Sequence, residues 1–218
     1  YKRQIEQDIL VQLLEEYETN LKQLENKIQL RNIIIKSSIE VLGYIDSPIN
    51  INKDSLIKKI ATLRYDPTFN PIQNDLISSG NIRLIQNKNL KKMLSNWSSD
   101  VVAVQEMEGQ WEKIRSETNI PYMIKLGIYR DIIDITTREI SQEYWLLDNI
   151  QKSDYELSVG KSKRINIEDI LNNKDLESLV GHAINFNNVT NLQSNALLIR
   201  INKIIKILNE ELNNDKIL

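Results

Sequence analysis

The residues best able to do chemistry are carboxylates. Glu106, Glu108 and Glu112 lie within two helical turns, and Glu139 and Glu143 follow further along. Carboxylates from two helices can hold a divalent cation. Helix surfaces of this composition carry such groups by chance, so the reading expects no metal and no cofactor. His182, between Gly181 and Ala183, is the chain's one histidine. Acid–base catalysis needs a positioned partner, and none is local to it, so a structural or exposed histidine is expected. A di-iron bundle needs Glu-x-x-His pairs on two helices and is excluded by the lack of a second His. With no Cys there is no thiol nucleophile, Cys-ligated zinc or disulfide. Phosphate-cradling glycine loops, nucleophile elbows and zincin motifs are absent. No catalytic residue is assigned.

Recognition is then the chemistry left to consider. Trp97, Trp111, Tyr122, Tyr129, Tyr144 and Trp145 fall in the central third. Such rings build cores, anchor interfaces or line pockets, and core packing is the expectation. The alternative is a small-molecule or enzymatic pocket between helices near Glu108, Trp111 and Tyr144. Phe69, in the proline-rich turn from Tyr65 to Pro71, is the other candidate contact for a ligand or partner. A rigid corner is the expected role of that turn.

These residues must be positioned by helices. Ile5, Ile9, Leu13, Tyr17, Leu21, Leu24 and Ile28 step by 4, 4, 4, 4, 3 and 4, which is one stripe on a helix running from Lys2 to about Ile45. Its first turns are expected to project, with Ile5, Ile9 and Leu13 as contacts in a homodimer. Gly43 and Pro48 end it. A short helix capped by Asn52 or Asp54 buries Leu56, Ile57, Ile60 and Leu63. Asn70 and Pro71 predict another, closing at Gly80.

From Asn87, the residues Leu90, Leu94, Trp97, Val101, Val104 and Trp111 form a heptad seam, with Glu108 at the place of an apolar residue. The expectation is that Glu108 turns outward and Met107 packs instead. Pro121 and Gly127 break the pattern, which resumes from Tyr129 to Ile150. A polar loop covers 152–164, and Asn166 caps a short turn. Asp175 is expected to cap a last long helix burying Leu179, Ala183, Phe186, Ala196, Leu197, Ile201, Ile204, Leu208 and Leu212. That helix is unusually polar from Asn185 to Asn195, where it kinks or lines a wet seam. No strand-like alternation runs beyond about five residues.

The chain is therefore expected to be all-α: a single domain of 218 residues forming an elongated antiparallel helical bundle, with residues 1–46 as a long helix and 47–213 as the body. Its 28 basic and 30 acidic residues leave a net charge of −2, with no footprint for nucleic acid. No run of 18 apolar residues occurs.

Several segments together resemble a known family: YKRQIEQDIL at 1–10, LEEYETNLKQL at 14–24, FNP at 69–71 and SSGNIRLIQNKNLK at 78–91. They are similar to an uncharacterised Bacteroidota family of single-pass membrane proteins, a domain of unknown function. The likeness spans roughly residues 1–125 and, more loosely, the last helix. It implies a transmembrane helix just upstream of Tyr1, with basic residues on its cytoplasmic side. The domain would then sit in the periplasm, anchored to the inner membrane, as a sensor or protein-interaction scaffold without catalysis. The first residue, not a Met, fits that expectation. The Ile-, Asn- and Lys-rich composition leaves a third reading open, a cytoplasmic phage or defence-system component.

Overall fold

The computed structural model of the chain describes residues 2–73, 76, 79–139 and 159–214. Among these the regular structure is helical, with no strand. The helices are α1 (Lys2–Asp46), α2 (Lys53–Ala61), α3 (Lys88–Ile114), α4 (Ile120–Lys125), α5 (Tyr129–Glu139), α6 (Ile167–Leu171) and α7 (Lys174–Asn214). The all-α class and the long first helix stand as expected. Contacts divide the chain into two compact units. One comprises Tyr1–Arg31, Pro67–Gln110 and Asn188–Leu218, the other Asn32–Asp66 and Trp111–Asn187.

In the first unit, parts of α1, α3 and α7 bury Leu10, Leu13, Tyr17 and Leu24 against Leu90, Leu94, Trp97, Val101 and Val104, and against Leu197, Ile201, Ile204 and Leu208. Their seams advance alternately by three and four residues, as in a coiled coil. Helix direction follows from the pairs. Glu6 bonds Gln86, Tyr17 meets Trp97 and Arg31 bonds Glu108, so α1 and α3 run parallel. Asn87 meets Glu211 and Asp100 meets Arg200, so α7 runs antiparallel to α3.

The parallel pair requires the chain to return along α1, and segment 67–87 does so, its described residues being without α-helix. Arg31 binds the Pro67 carbonyl, Gln23 the Asn70 N–H, Asn20 the Ile72 N–H and carbonyl, and Glu6 the Gln86 N–H. The helix expected to start at Pro71 does not start there, since residues 71–73 are irregular. Ile72 gives both backbone groups to the Asn20 amide, at 2.7 and 3.0 Å, and Asn81–Leu84 makes a short 3-10 turn.

The second unit buries Ile34 and Val41 of α1 with Leu56, Ile57, Ile60 and Leu63, and with Trp111, Met123, Ile128, Ile132, Ile170, Leu176 and Val180. Asn52 caps α2, its side chain accepting from the Ser55 N–H at 3.1 Å. After α3 the chain continues through a π turn, Arg115–Asn119, directly into α4. The wider turn absorbs Pro121, which lacks the N–H that an α-helix interior requires. Asn173, two residues earlier than the expected Asp175, starts α7 by accepting from the Asp175 N–H.

Gly127 ends α4 in the left-handed region at φ +79°. The Ile128 N–H reaches back to the Met123 carbonyl at 3.2 Å, closing the helix end. A β-carbon at 127 would lie 2.7 Å from the Ile165 side chain. Gly127→Ala is therefore expected to lower stability by about 1–2 kcal/mol from backbone strain alone, read as a drop in the urea midpoint at unchanged slope.

Candidate functional site

The buried positions of α1 are Glu6, Leu10, Leu13, Tyr17, Asn20, Leu24, Arg31, Ile34, Ser38 and Val41. The expected stripe chose the neighbouring apolar residues, of which Ile5, Ile9, Leu21 and Ile28 are only half-buried. Three polar residues, Glu6, Asn20 and Arg31, take seam positions where this seam faces irregular backbone. Buried N–H and C=O groups need partners, and the described residues of segment 67–87 find several of theirs on α1.

The densest point of this arrangement lies in the first unit. Arg31 is fully buried. Its Nη1 donates to Ser194 Oγ at 2.9 Å and to Asn191 Oδ1 at 3.4 Å, and its Nη2 donates to the Pro67 carbonyl at 3.2 Å and to Glu108 Oε1. The other Glu108 oxygen accepts the Phe69 N–H at 2.9 Å. Three helices and the return segment thus meet on one guanidinium–carboxylate pair. Part of the polar stretch of α7 is explained by it: α7 continues as one helix from Lys174 to Asn214, and the buried Asn191 and Ser194 accept from Arg31, while the buried Asn187 donates to the Ala183 carbonyl of its own helix.

Glu108 therefore does not turn outward. It is 2% exposed, while Met107 is half-buried. Burial pushes its carboxyl up from the usual range, opposed by the Phe69 N–H and by Arg31. Burial likewise pushes Arg31 down, opposed by Glu108. Chemically the group is closed, since each carboxylate oxygen already accepts a bond from the protein. The pair holds a corner in place, and a substrate would have to displace Phe69 or Arg31 to reach it.

Of the other expected contacts, Phe69 is fully buried and joins Glu108 through its backbone. Trp111 belongs to the second unit, where its indole N–H donates to the Tyr65 carbonyl at 3.0 Å and its ring stacks on Phe186. The aromatic group does not form one cluster. Trp97 packs edge-on against Tyr17 in the first unit, while Tyr122 and Tyr129 join the core of the second. Tyr144 and Trp145 lie outside the described residues, as do Glu143 and Ser78.

The carboxylates separate in the same way. Glu106 is exposed, Glu108 is buried and Glu112 bonds Arg115. Among the described residues no group of three or more His, Asp or Glu is placed to hold a metal. His182 is exposed, edge-on to Phe186.

Leu13, an expected dimer contact, is 1% exposed and belongs to the core of the first unit. Ile9 packs against the same core and Ile5 is half-buried. Ile9 and Leu13 also line, with Glu16 and Asn81, an open cleft of about 180 Å³ on the first unit. Ala196 of α7 is exposed rather than buried.

No family model, curated protein or solved structure matches the chain.

Proposed function

We propose that this chain is a helical scaffold domain without catalysis, carried outside the cytoplasm by a membrane helix upstream of Tyr1. The observation behind the scaffold role is the closed Arg31–Glu108 pair. The carboxylate that the sequence marks most strongly for chemistry has both oxygens bound by the protein and is sealed from solvent. A catalytic or ligand-binding carboxylate needs a free lone pair facing a space that substrate can enter. Glu6 and Asn20 have the same use, each binding backbone of the return segment. The residues that look reactive hold a shape, and a held shape suits protein recognition. No helix of the described residues is long and apolar enough to cross a membrane, so the tether belongs to the proposal and rests on the family resemblance.

Reporter fusions to the full-length gene test the location. Alkaline phosphatase fused after Leu218 is expected to be active and a green fluorescent protein at the same place dark. The reverse pattern would overturn the extracytoplasmic part of the reading.

A further inference from the structure

Residues 159–164, the described end of the polar loop, bind the first turns of α2 and α5 in the second unit. Two neighbouring residues on each helix hold them. From α5, Arg130 donates Nε to the Val159 and Gly160 carbonyls at 3.0 and 2.9 Å, and Nη2 to the Val159 carbonyl at 2.7 Å. Beside it, Asp131 Oδ1 accepts the Ser162 N–H at 3.0 Å. From α2, Lys53 Nζ donates to the Ser162 carbonyl at 3.3 Å, and Asp54 pairs with Lys161. Between Val159 and Ile165 the side chains are those of Gly, Lys, Ser, Lys and Arg, so no apolar residue anchors the stretch. Gly160, in the left-handed region at φ +64°, is a pivot at one end. Ile165 packs against the core at the other.

We propose that residues 160–164 form a latch that swings off α2 and α5 as one piece while the core of the second unit stays folded. What the latch covers favours release. Asp131 is 1% exposed, and among the described residues its Oδ2 accepts no hydrogen bond. Lys53 Nζ stands 3.8 Å from the other oxygen. A buried carboxylate with one oxygen unbonded carries a desolvation cost that water removes on opening. Closure is favoured by the bonds from Arg130 and Lys53, which as charged donors are stronger than neutral ones. It is opposed by the cost at Asp131 and by the entropy of ordering the stretch, with no apolar burial to help. Such a balance leaves a small net preference for the closed form, and few buried apolar contacts mark the segments that open locally. Opening uncovers the carboxylate and frees the ammonium beside it, so the domain has two surfaces, one for each position of the latch. This goes beyond the scaffold reading and holds with or without a membrane tether.

Amide hydrogen exchange of the native chain, followed by NMR, tests the latch. The Ser162 N–H reports its position, because Asp131 is the acceptor. The Ile135 N–H, inside α5 with its side chain in the core, reports the unit as a whole. Ser162 is expected to exchange about tenfold or more slower than an unstructured amide and about a hundredfold or more faster than Ile135, as local and global opening differ. Arg130→Ala should speed Ser162 about tenfold, the scale of a lost hydrogen bond from a charged donor, and leave Ile135 unchanged. Arg130 bonds Val159 and Gly160 rather than Ser162, so the effect reaches Ser162 only if the stretch moves as one piece. Asp54→Ala, which removes the exposed pair with Lys161 and touches no core residue's side chain, should speed Ser162 about two- to fivefold. Ser162 unprotected in the native chain overturns the closed form, and Ser162 exchanging at the rate of Ile135 overturns local opening. Ser162 unmoved by either substitution overturns the latch, since each bond would then open by itself.

Discussion

Arg31→Met is expected to lower the unfolding free energy by about 3–5 kcal/mol, the cost of stranding one member of a buried ion pair. The substitution keeps the unbranched stem but leaves Glu108 buried with the Phe69 N–H as its remaining bond from the pair's surroundings. It also strips the Pro67 carbonyl and Ser194 of the donor they share. Glu108→Leu alone should cost a similar amount, now stranding the guanidinium. Arg31→Met/Glu108→Leu is expected to recover much of the loss, since two apolar side chains can replace a buried pair at little cost. Urea denaturation of the four chains closes the cycle. Single variants within about 0.5 kcal/mol of the native chain, as for an ordinary surface site, would mean that the pair is solvated.

The same carboxyl gives a pH signature. Burial, its dominant influence, raises Glu108, so the folded chain takes up this proton before the unfolded chain does. Its contribution to stability is then fully present below the unfolded pKa of about 4.3 and is lost as pH rises through the folded value. The stability of the native chain relative to Glu108→Gln should therefore grow as pH falls from neutral toward about 4.3. A difference that shrinks over that range would show Arg31 outweighing burial.

What the sequence made legible and what it hid share one physical cause. Apolar periodicity located α1, α3 and α7 because a helix that buries one face must repeat its apolar residues at three and four. The seam of α3 was readable residue by residue, through Leu90, Leu94, Trp97, Val101 and Val104. On α1 the same rule chose a neighbouring stripe. Arg31, Asn20 and Glu6 occupy seam positions, and a reading that scores apolar residues passes over them. Nothing local distinguishes a polar residue that binds distant backbone from one that faces water. The signal was the strict alternation of three and four continuing through Leu10, Leu13, Tyr17, Asn20 and Leu24, with Asn20 completing it.

The return segment was opaque for the complementary reason. Asn70-Pro71 is a sound helix start by local chemistry, yet the Asn20 amide takes both backbone groups of Ile72. A partner 52 residues away in sequence decides a local conformation. Asn191 and Ser194 could be seen as part of a wet seam from the polar stretch around them, but their donor, Arg31, could not be named. The Glu108 position was flagged correctly as anomalous and its direction misjudged, because the benefit of burying it lies in Phe69 and Arg31.

Trp111→Ala is expected to cost about 3–5 kcal/mol, the range for removing a large buried aromatic. The ring is 2% exposed, in a core with Leu63, Tyr122 and Met123. Its centroid lies 6.2 Å from that of Phe186 with the planes 27° apart, a stacked contact that truncation abolishes along with the apolar burial. Trp111→Phe separates the two contributions. Phenylalanine retains most of the stacking and loses the N–H that binds the Tyr65 carbonyl at 3.0 Å. That change should cost about 1–2 kcal/mol, since a partly buried acceptor is left without its donor. Chemical denaturation followed by circular dichroism distinguishes the variants without relying on tryptophan emission. A Trp111→Ala chain within 1 kcal/mol of native would place the indole outside the core and return it to the role of a ligand or interface anchor. The expected order, native above Phe above Ala, makes it a ring that joins α3 to the Tyr65 turn and to α7 within the second unit.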